Sequence, residues 1–302
     1  MSMQRKVSRR EMLAGAAAMG AAAMLPAQVR HAAAKPVAPV KKKQVLAIGD
    51  VSSAYQHESV SHALATIERL GYASGEWATT IRTDAQLITK QPVWGTGKYA
   101  APPEGNKKTN AKNLNDFDAV FFYGIGDGWL NESQKKDLLS FVHDDGKGFV
   151  GAHTAIDAFY DWPEFGEMMG GYFDNHPWGV ADGTVIVEEH GFPGWRGLPA
   201  RFPIRDEFYM TLPEPYSRSK VDVIARLDAS KMDLSKPGLR TDMDFPVAWA
   251  KTYGHGNVFW STFGHPVEAW DDARVQGIYV GALRWALGMR EYAVKPHGMP
   301  KN

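Results

Sequence analysis

The sequence predicts an α/β protein: a mostly parallel sheet with helices on both faces, followed by a C-terminal β-hairpin region. Three observations lead there. Short apolar runs at 45–48, 117–123 and 148–152 each end in a tight turn marked by Gly49, Gly124 and Gly151-Ala152-His153. Segments with apolar residues at helical spacing separate these runs, and strand–helix–strand alternation implies right-handed crossovers and parallel pairing. Later, two strand-like runs at 245–253 and 257–263 flank Gly254-His255-Gly256, the pattern of a hairpin.

Taken in order, Val45-Leu46-Ala47-Ile48 is a short buried strand. A loop at 51–56 leads into a helix at 58–70, where Val60, Ala63, Leu64, Ile67 and Leu70 follow the helical period and Gly71 is the expected stop. Residues 91–112 are rich in Gly, Pro, Lys and Asn and read as a loop or insertion. Residues 117–123 form the next strand. Gly124-Ile125-Gly126-Asp127-Gly128 then reads as a turn needing positive φ, because the lysine and threonine of a phosphate-binding loop do not follow it. Asn131 and Gln134 form a capping box for a helix at 132–144. The third strand, 148–152, runs straight into His153. A helix is expected at 164–169, ended by Gly170-Gly171, with strands at 184–189, 202–210 and 221–227. The last helix, 272–287, buries Val275, Ile278, Tyr279, Ala282, Trp285 and Ala286. No internal repeat or coiled-coil heptad is present.

Residues 1–34 read as an export signal outside the fold. Ser8-Arg9-Arg10-Glu11-Met12-Leu13 has the twin-arginine form, and the Ala-rich stretch at 13–25 is too short and too weakly apolar to span a bilayer. Ala32-Ala33-Ala34 offers a cleavage site before Lys35. The expected organisation is a signal at 1–34, a basic linker at 35–43, one domain at 44–288 and a C-terminal tail at 289–302. The expected location is the periplasm, with no stable membrane span after cleavage. The twin-arginine route carries folded proteins, often with a cofactor already loaded.

Composition excludes several functions. Arg5, Lys6, Arg9, Arg10 and Arg30 against Glu11 give the first 34 residues a net charge of +4, so the rest of this neutral chain carries −4. That balance argues against nucleic acid as a partner. There is no cysteine, hence no disulfide, thiolate metal site or cysteine nucleophile. Ten tryptophans and eleven tyrosines offer rings for sugar stacking, although cores absorb most such rings.

Four polar clusters fall at strand ends or in adjacent loops: Gln56-His57-Glu58; His153; Tyr172-Phe173-Asp174-Asn175-His176-Pro177; and Asp206-Glu207-Phe208-Tyr209 with Gly264-His265-Pro266. Open α/β sheets bind ligands at the carboxyl edge of their strands, where His153 stands. If residues 202–210 are one strand, alternate side chains face opposite ways, so Glu207 and Tyr209 share a face and Asp206 takes the other. The candidate catalytic residues are His153, His176, Glu207 and His265. The candidate substrate contacts are His57, Phe173, Tyr209 and Trp249; for Trp249, as for Trp178 and Trp260, core packing is the competing role. Two chemistries suit this set. Histidine can move a proton at a sugar hydroxyl or at the carbon beside a ketone. Alternatively, His153, His176 and His265, with Glu207, can hold a divalent Zn, Mn, Fe or Ni ion assembled from distant segments.

In order, these motifs resemble those of the ThuA, or trehalose-utilisation-like, family. Gln56-His57-Glu58-Ser59 matches its first loop and Gly151-Ala152-His153 its G-x-H turn. Gly170-Gly171-Tyr172-Phe173-Asp174-Asn175-His176-Pro177 matches G-G-x-F-x-x-H-P, and Asp206-Glu207-Phe208-Tyr209 matches D-E-x-Y. Pro246-Val247-Ala248-Trp249 and the segment from Gly254 to Gly264-His265 complete the series over 44–288. The resemblance implies a flavodoxin-like, class I glutamine amidotransferase-like three-layer sandwich, with His153 at or beside the amidotransferase nucleophile position. Without cysteine, that covalent glutamine chemistry is excluded. Three positions depart from the family pattern: Gln56 for a basic residue, Phe245 for a histidine and Asn257 for an arginine. Their loss favours an uncharged ligand. The function implied is an exported carbohydrate-active protein acting on a disaccharide, glycoside or keto-sugar by hydrolysis, elimination or isomerisation. The alternatives are a non-catalytic sugar-binding module and a subunit of an exported complex.

Overall fold

The computed structural model describes residues 41–50, 54–105, 109 and 111–300. The expected export signal and all but the last residues of the expected linker lie outside them. Lys43, the last linker residue, already belongs to a strand.

Nine strands make one sheet. β1 (Lys43–Gly49) and β2 (Trp77–Arg82) pair in parallel, as do β1 with β3 (Ala119–Tyr123) and β3 with β4 (Gly148–Ala152). β11 (Gly256–Ser261) joins β4 in parallel. The other half is antiparallel: β11 to β10 (Pro246–Tyr253), β10 to β9 (Asp222–Leu227), β9 to β6 (Val180–Val187), and β6 to β7 (Arg201–Glu207). The order is β2-β1-β3-β4-β11-β10-β9-β6-β7. The sheet is therefore parallel in one half and antiparallel in the other, more mixed than the sequence suggests. A separate small pair joins β5 (Phe173–Asn175) to β8 (Met210–Thr211).

The alternation of β1 shows how both faces are filled. Val45 and Ala47 pack with Val60, Ala63, Leu64 and Ile67 of α1 (Ser59–Ser74) and with Val275, Ile278, Tyr279 and Ala282 of α4 (Ala273–Ala286). Leu46 and Ile48 point the other way, into a core shared with Leu138, Phe141 and Val142 of α2 (Glu132–His143) and with Phe165, Met168 and Met169 of α3 (Pro163–Met169). Asn131 caps α2 through the expected box with Gln134, and Gly170 ends α3 at φ 88°. The hairpin around Gly254 forms as expected. Among the described residues, no helix is long and apolar enough to cross a membrane.

Two expectations are corrected, and one strand is new. Helix α1 passes through Gly71 and stops at Gly75, which takes the left-handed conformation that glycine adopts without strain. Gly71 instead lies against the Trp77 indole, which leaves no room for a Cβ. The expected strand 202–210 breaks after Glu207, and Met210 belongs to the separate β5–β8 pair. The edge strand β2 has no counterpart in the sequence prediction.

Candidate functional site

The loops that follow β1, β4 and β11 leave the sheet at its carboxyl edge. The chain turns left from β1 to β2 and right from β3 onward, so this edge contains a topological switch point. His57 comes from the loop after β1, His153 directly follows β4, and His265 lies four residues beyond β11.

His153 is fully buried and takes φ 48°, uncommon for a residue with a Cβ. Two bonds hold it there. The Trp260 indole N–H donates to the His153 carbonyl at 2.9 Å, and His153 Nδ1 donates to the Thr262 carbonyl at 2.7 Å. A carbonyl can only accept, so Nδ1 carries the hydrogen and Nε2 presents a lone pair in the neutral ring. That Nε2 accepts the Tyr209 hydroxyl at 3.0 Å and lies 3.2 Å from His265 Nδ1. Burial lowers the pKa of His153 more than the nearby Glu207 raises it.

Glu207 is the acidic centre. Its Oε2 is 3.0 Å from His265 Nδ1 and 3.5 Å from His153 Nε2, and its Oε1 is 3.5 Å from His176 Nδ1. Burial alone would raise its pKa, but hydrogen bonds and charge from His153 and His265 pull it well below the carboxylate range. The same bond raises the pKa of His265, against a smaller opposing effect of burial. His57 packs edge-on to both rings, at 5.0 Å from His153 and 4.9 Å from His265. Burial, then repulsion from those two imidazoles, pushes its pKa down to about 3.

Asp206 positions the loop that bears His265. It is fully buried and accepts backbone N–H groups from Gly264 at 2.9 Å, His265 at 3.1 Å and Glu207 at 2.8 Å. Burial pushes its pKa up to about 7 even though these amides pull it down. The Thr262 hydroxyl donates to the Glu207 carbonyl, and the Tyr209 amide donates to that hydroxyl, so the segment after β7 is tied to the segment after β11.

His153, His265, Glu207, Tyr209 and His57 thus converge, with His176 at the rim and half exposed. Phe173 stands beside it, its ring 5.5 Å from His176 and 4.4 Å from Tyr209. Trp249 does not join them. It is fully buried, its ring 4.1 Å from Trp260 and its indole N–H on the Met169 carbonyl, so the expectation of a sugar contact gives way to core packing. Two of the departing positions also lie elsewhere. Phe245 is buried against Trp178, and the Asn257 amide donates to the Trp285 carbonyl at the end of α4. Neither informs the ligand's charge; Gln56, adjacent in sequence to His57, is the departure that remains near the cluster.

Donor atoms of His57, His153, Glu207 and His265 all lie within 4.8 Å of one another, a set that fits a divalent cation. His57, not His176, completes it. Asp157 was not anticipated. It follows the short turn His153–Ile156, accepts the Tyr160 hydroxyl at 2.8 Å, and has its pKa raised first by burial, with His176 and Glu207 close enough to act on it. A cleft of about 210 Å³ opens beside the cluster, lined by Tyr55, His57, Glu58, His265 and Pro266. A larger depression of about 490 Å³ is lined by Arg196, Arg284 and Arg290 and includes none of these residues.

Comparison with known proteins adds the following. The ThuA family, described as trehalose utilisation, matches residues 44–286. A ThuA-like protein from Bacteroides uniformis superposes with a TM-score of 0.62 at 20% identity, over 84% of this chain and 95% of that one. One from Parabacteroides merdae gives a TM-score of 0.58 at 17% identity, over 86% and 94%. No curated protein matches the chain.

Proposed function

The chain belongs to the ThuA family, whose description as trehalose utilisation supports a carbohydrate-associated role, and from that premise we propose an exported enzyme that moves a proton on a neutral sugar. The substrate class is a disaccharide, glycoside or keto-sugar, and the reaction is a hydrolysis, elimination or isomerisation. The periplasmic location rests on the twin-arginine pattern of residues 8–13. The amidotransferase-like three-layer description draws support from the parallel run β2-β1-β3-β4-β11 with helices packed on both its faces.

The observation that carries the proposal is the contact of His265 Nδ1 with Glu207 Oε2 at 3.0 Å and His153 Nε2 at 3.2 Å, beside an open cleft. Glu207 holds protons too weakly to be an effective base near neutral pH. It instead stays charged and stabilises a protonated His265. His265, partly exposed to the cleft, is the group that takes a proton from a sugar hydroxyl, or from the carbon beside a carbonyl, and returns it. His153, buried and kept neutral, sets its Nε2 edge 3.2 Å from His265 Nδ1 and is itself oriented by Tyr209 and Thr262. Phe173 with His176, and Tyr55 edge-on to His57, offer aromatic faces for the apolar side of a sugar ring. Where a divalent cation is bound by His57, His153, His265 and Glu207, it supplies polarisation of a substrate oxygen.

The test is turnover of a panel of neutral disaccharides, glycosides and keto-glycosides by the purified protein, with and without chelator, beside its metal content. We expect turnover of at least one class and a loss on the order of 10²–10⁴-fold in His265→Gln. Absence of turnover, with sugar binding unchanged in His265→Gln, would leave a binding module and overturn the proposal.

A further inference from the structure

A second group of metal-type donors lies outside this site. Glu189 sits just beyond β6, Asp222 opens β9, and His297 belongs to the C-terminal segment past the family match. Asp222 is fully buried. Its Oδ2 accepts the Tyr292 hydroxyl at 2.8 Å and the Lys295 amide at 2.7 Å, whereas its Oδ1 has no hydrogen-bond partner among the described residues. His297 Nδ1 donates to the Gly298 carbonyl at 2.9 Å, so Nε2 of the neutral ring presents a lone pair, and it too is buried without a hydrogen-bond partner.

That Nε2 faces Asp222 Oδ1 at 3.5 Å and Glu189 Oε1 at 3.7 Å. Two carboxylate oxygens and an imidazole lone pair repel one another unless a cation lies between them. Both separations are longer than a good hydrogen bond. They are close instead to the edge of about 3.4 Å in a tetrahedral site with metal–ligand bonds of about 2.1 Å. The adjacent Glu188 is committed elsewhere: Arg218 contacts it at 2.8 and 2.9 Å and Arg226 at 2.9 Å, and it lies 3.7 Å from His297 Nδ1. Those guanidinium groups leave Glu189 and Asp222 as the acidic pair facing His297.

We propose that Glu189, Asp222 and His297 bind a divalent cation of the zinc class, which fastens the C-terminal segment to the sheet at β9. The site has a structural character, since its three donors come from three separate segments and Asp222 is inaccessible to substrate.

The experiment is metal analysis of the full-length protein after equilibrium dialysis against micromolar Zn²⁺, for wild type, His297→Gln and Glu189→Gln, with circular dichroism to verify folding. Both substituted side chains are partly exposed, so neither change disturbs a packed core. Each variant should carry one equivalent less zinc than wild type and lose zinc-dependent stabilisation, whereas His265→Gln should retain this equivalent. Equal zinc in wild type and either variant, including none in both, would overturn the proposal, and would do so without bearing on turnover at His265.

Discussion

Both carboxylate oxygens of Asp206 are engaged by backbone amides, and three N–H groups, two of them in buried bonds, depend on them. Its role is to fix where His265 stands. Asp206→Ala leaves those donors without a partner, and each such loss costs about 1–3 kcal/mol. We expect a loss of about 3 kcal/mol or more in urea unfolding, together with a lower kcat in the folded fraction. A variant within about 0.5 kcal/mol of wild type would show that the loop is held by something else. At this scale the sequence was partly legible. His153 and His265 stood out because each follows a tight turn after an apolar strand. The structure sets Glu207 against His153 and His265 and puts Asp206 on the backbone of the His265 loop, a division the alternation argument does not explain, because the strand ends at Glu207. Trp249 could not be read, since an indole looks the same in sequence whether it faces a cleft or, as here, Trp260.

Elements that repeat a simple pattern were read well, and those that depend on a partner were not. β1, β3 and β4 are continuous apolar runs because both faces are covered, and α2 carries its capping box openly. β2 escaped because it is an edge strand with several exposed residues, so its sequence lacks a buried run. The segment after β11 illustrates a constraint at this scale. Gly264 holds φ 127°, and a Cβ there would lie 2.8 Å from the Trp270 ring. Both the backbone conformation and the contact exclude a side chain. Gly264→Ala should therefore destabilise the protein by about 2–4 kcal/mol and shift the adjacent His265. Thermal unfolding and turnover together check this; an unchanged melting temperature would refute it.

In the whole molecule, the parallel half of the sheet brings the loops of His57, His153 and His265 to one edge, and the antiparallel half delivers Glu207 and Tyr209 to them. The first part follows from strand–helix alternation. The second depends on long-range pairing between β6, β7, β9 and β10, whose register no local pattern in this chain encodes. Gathering neutral imidazoles has a consequence for the entire fold. The folded-state pKa of His57 is lowered to about 3, so between pH 3 and 6.5 the unfolded chain binds a proton there that the folded chain refuses. This contribution to stability is present above pH 6.5 and is lost as pH falls toward 3, with a slope of at most about 1.4 kcal/mol per pH unit, reduced by the partial exposure of His57. Asp206, with its pKa raised, acts in the opposite sense between its ordinary value and pH 7, so the readout is a difference. His57→Gln should show a flatter rise of stability between pH 3 and 6.5 than wild type in denaturant titrations at several pH values. Parallel curves would contradict the assignment.

The central claim is that Glu207 and His265 work as one proton-handling unit, and a double-mutant cycle on kcat/KM tests it most directly. Residues that act together lose activity non-additively. Glu207→Gln and His265→Gln should each lower kcat/KM by a similar large factor, with the double variant little worse than either alone. Losses that multiply, or a Glu207→Gln enzyme as active as wild type, would contradict the account.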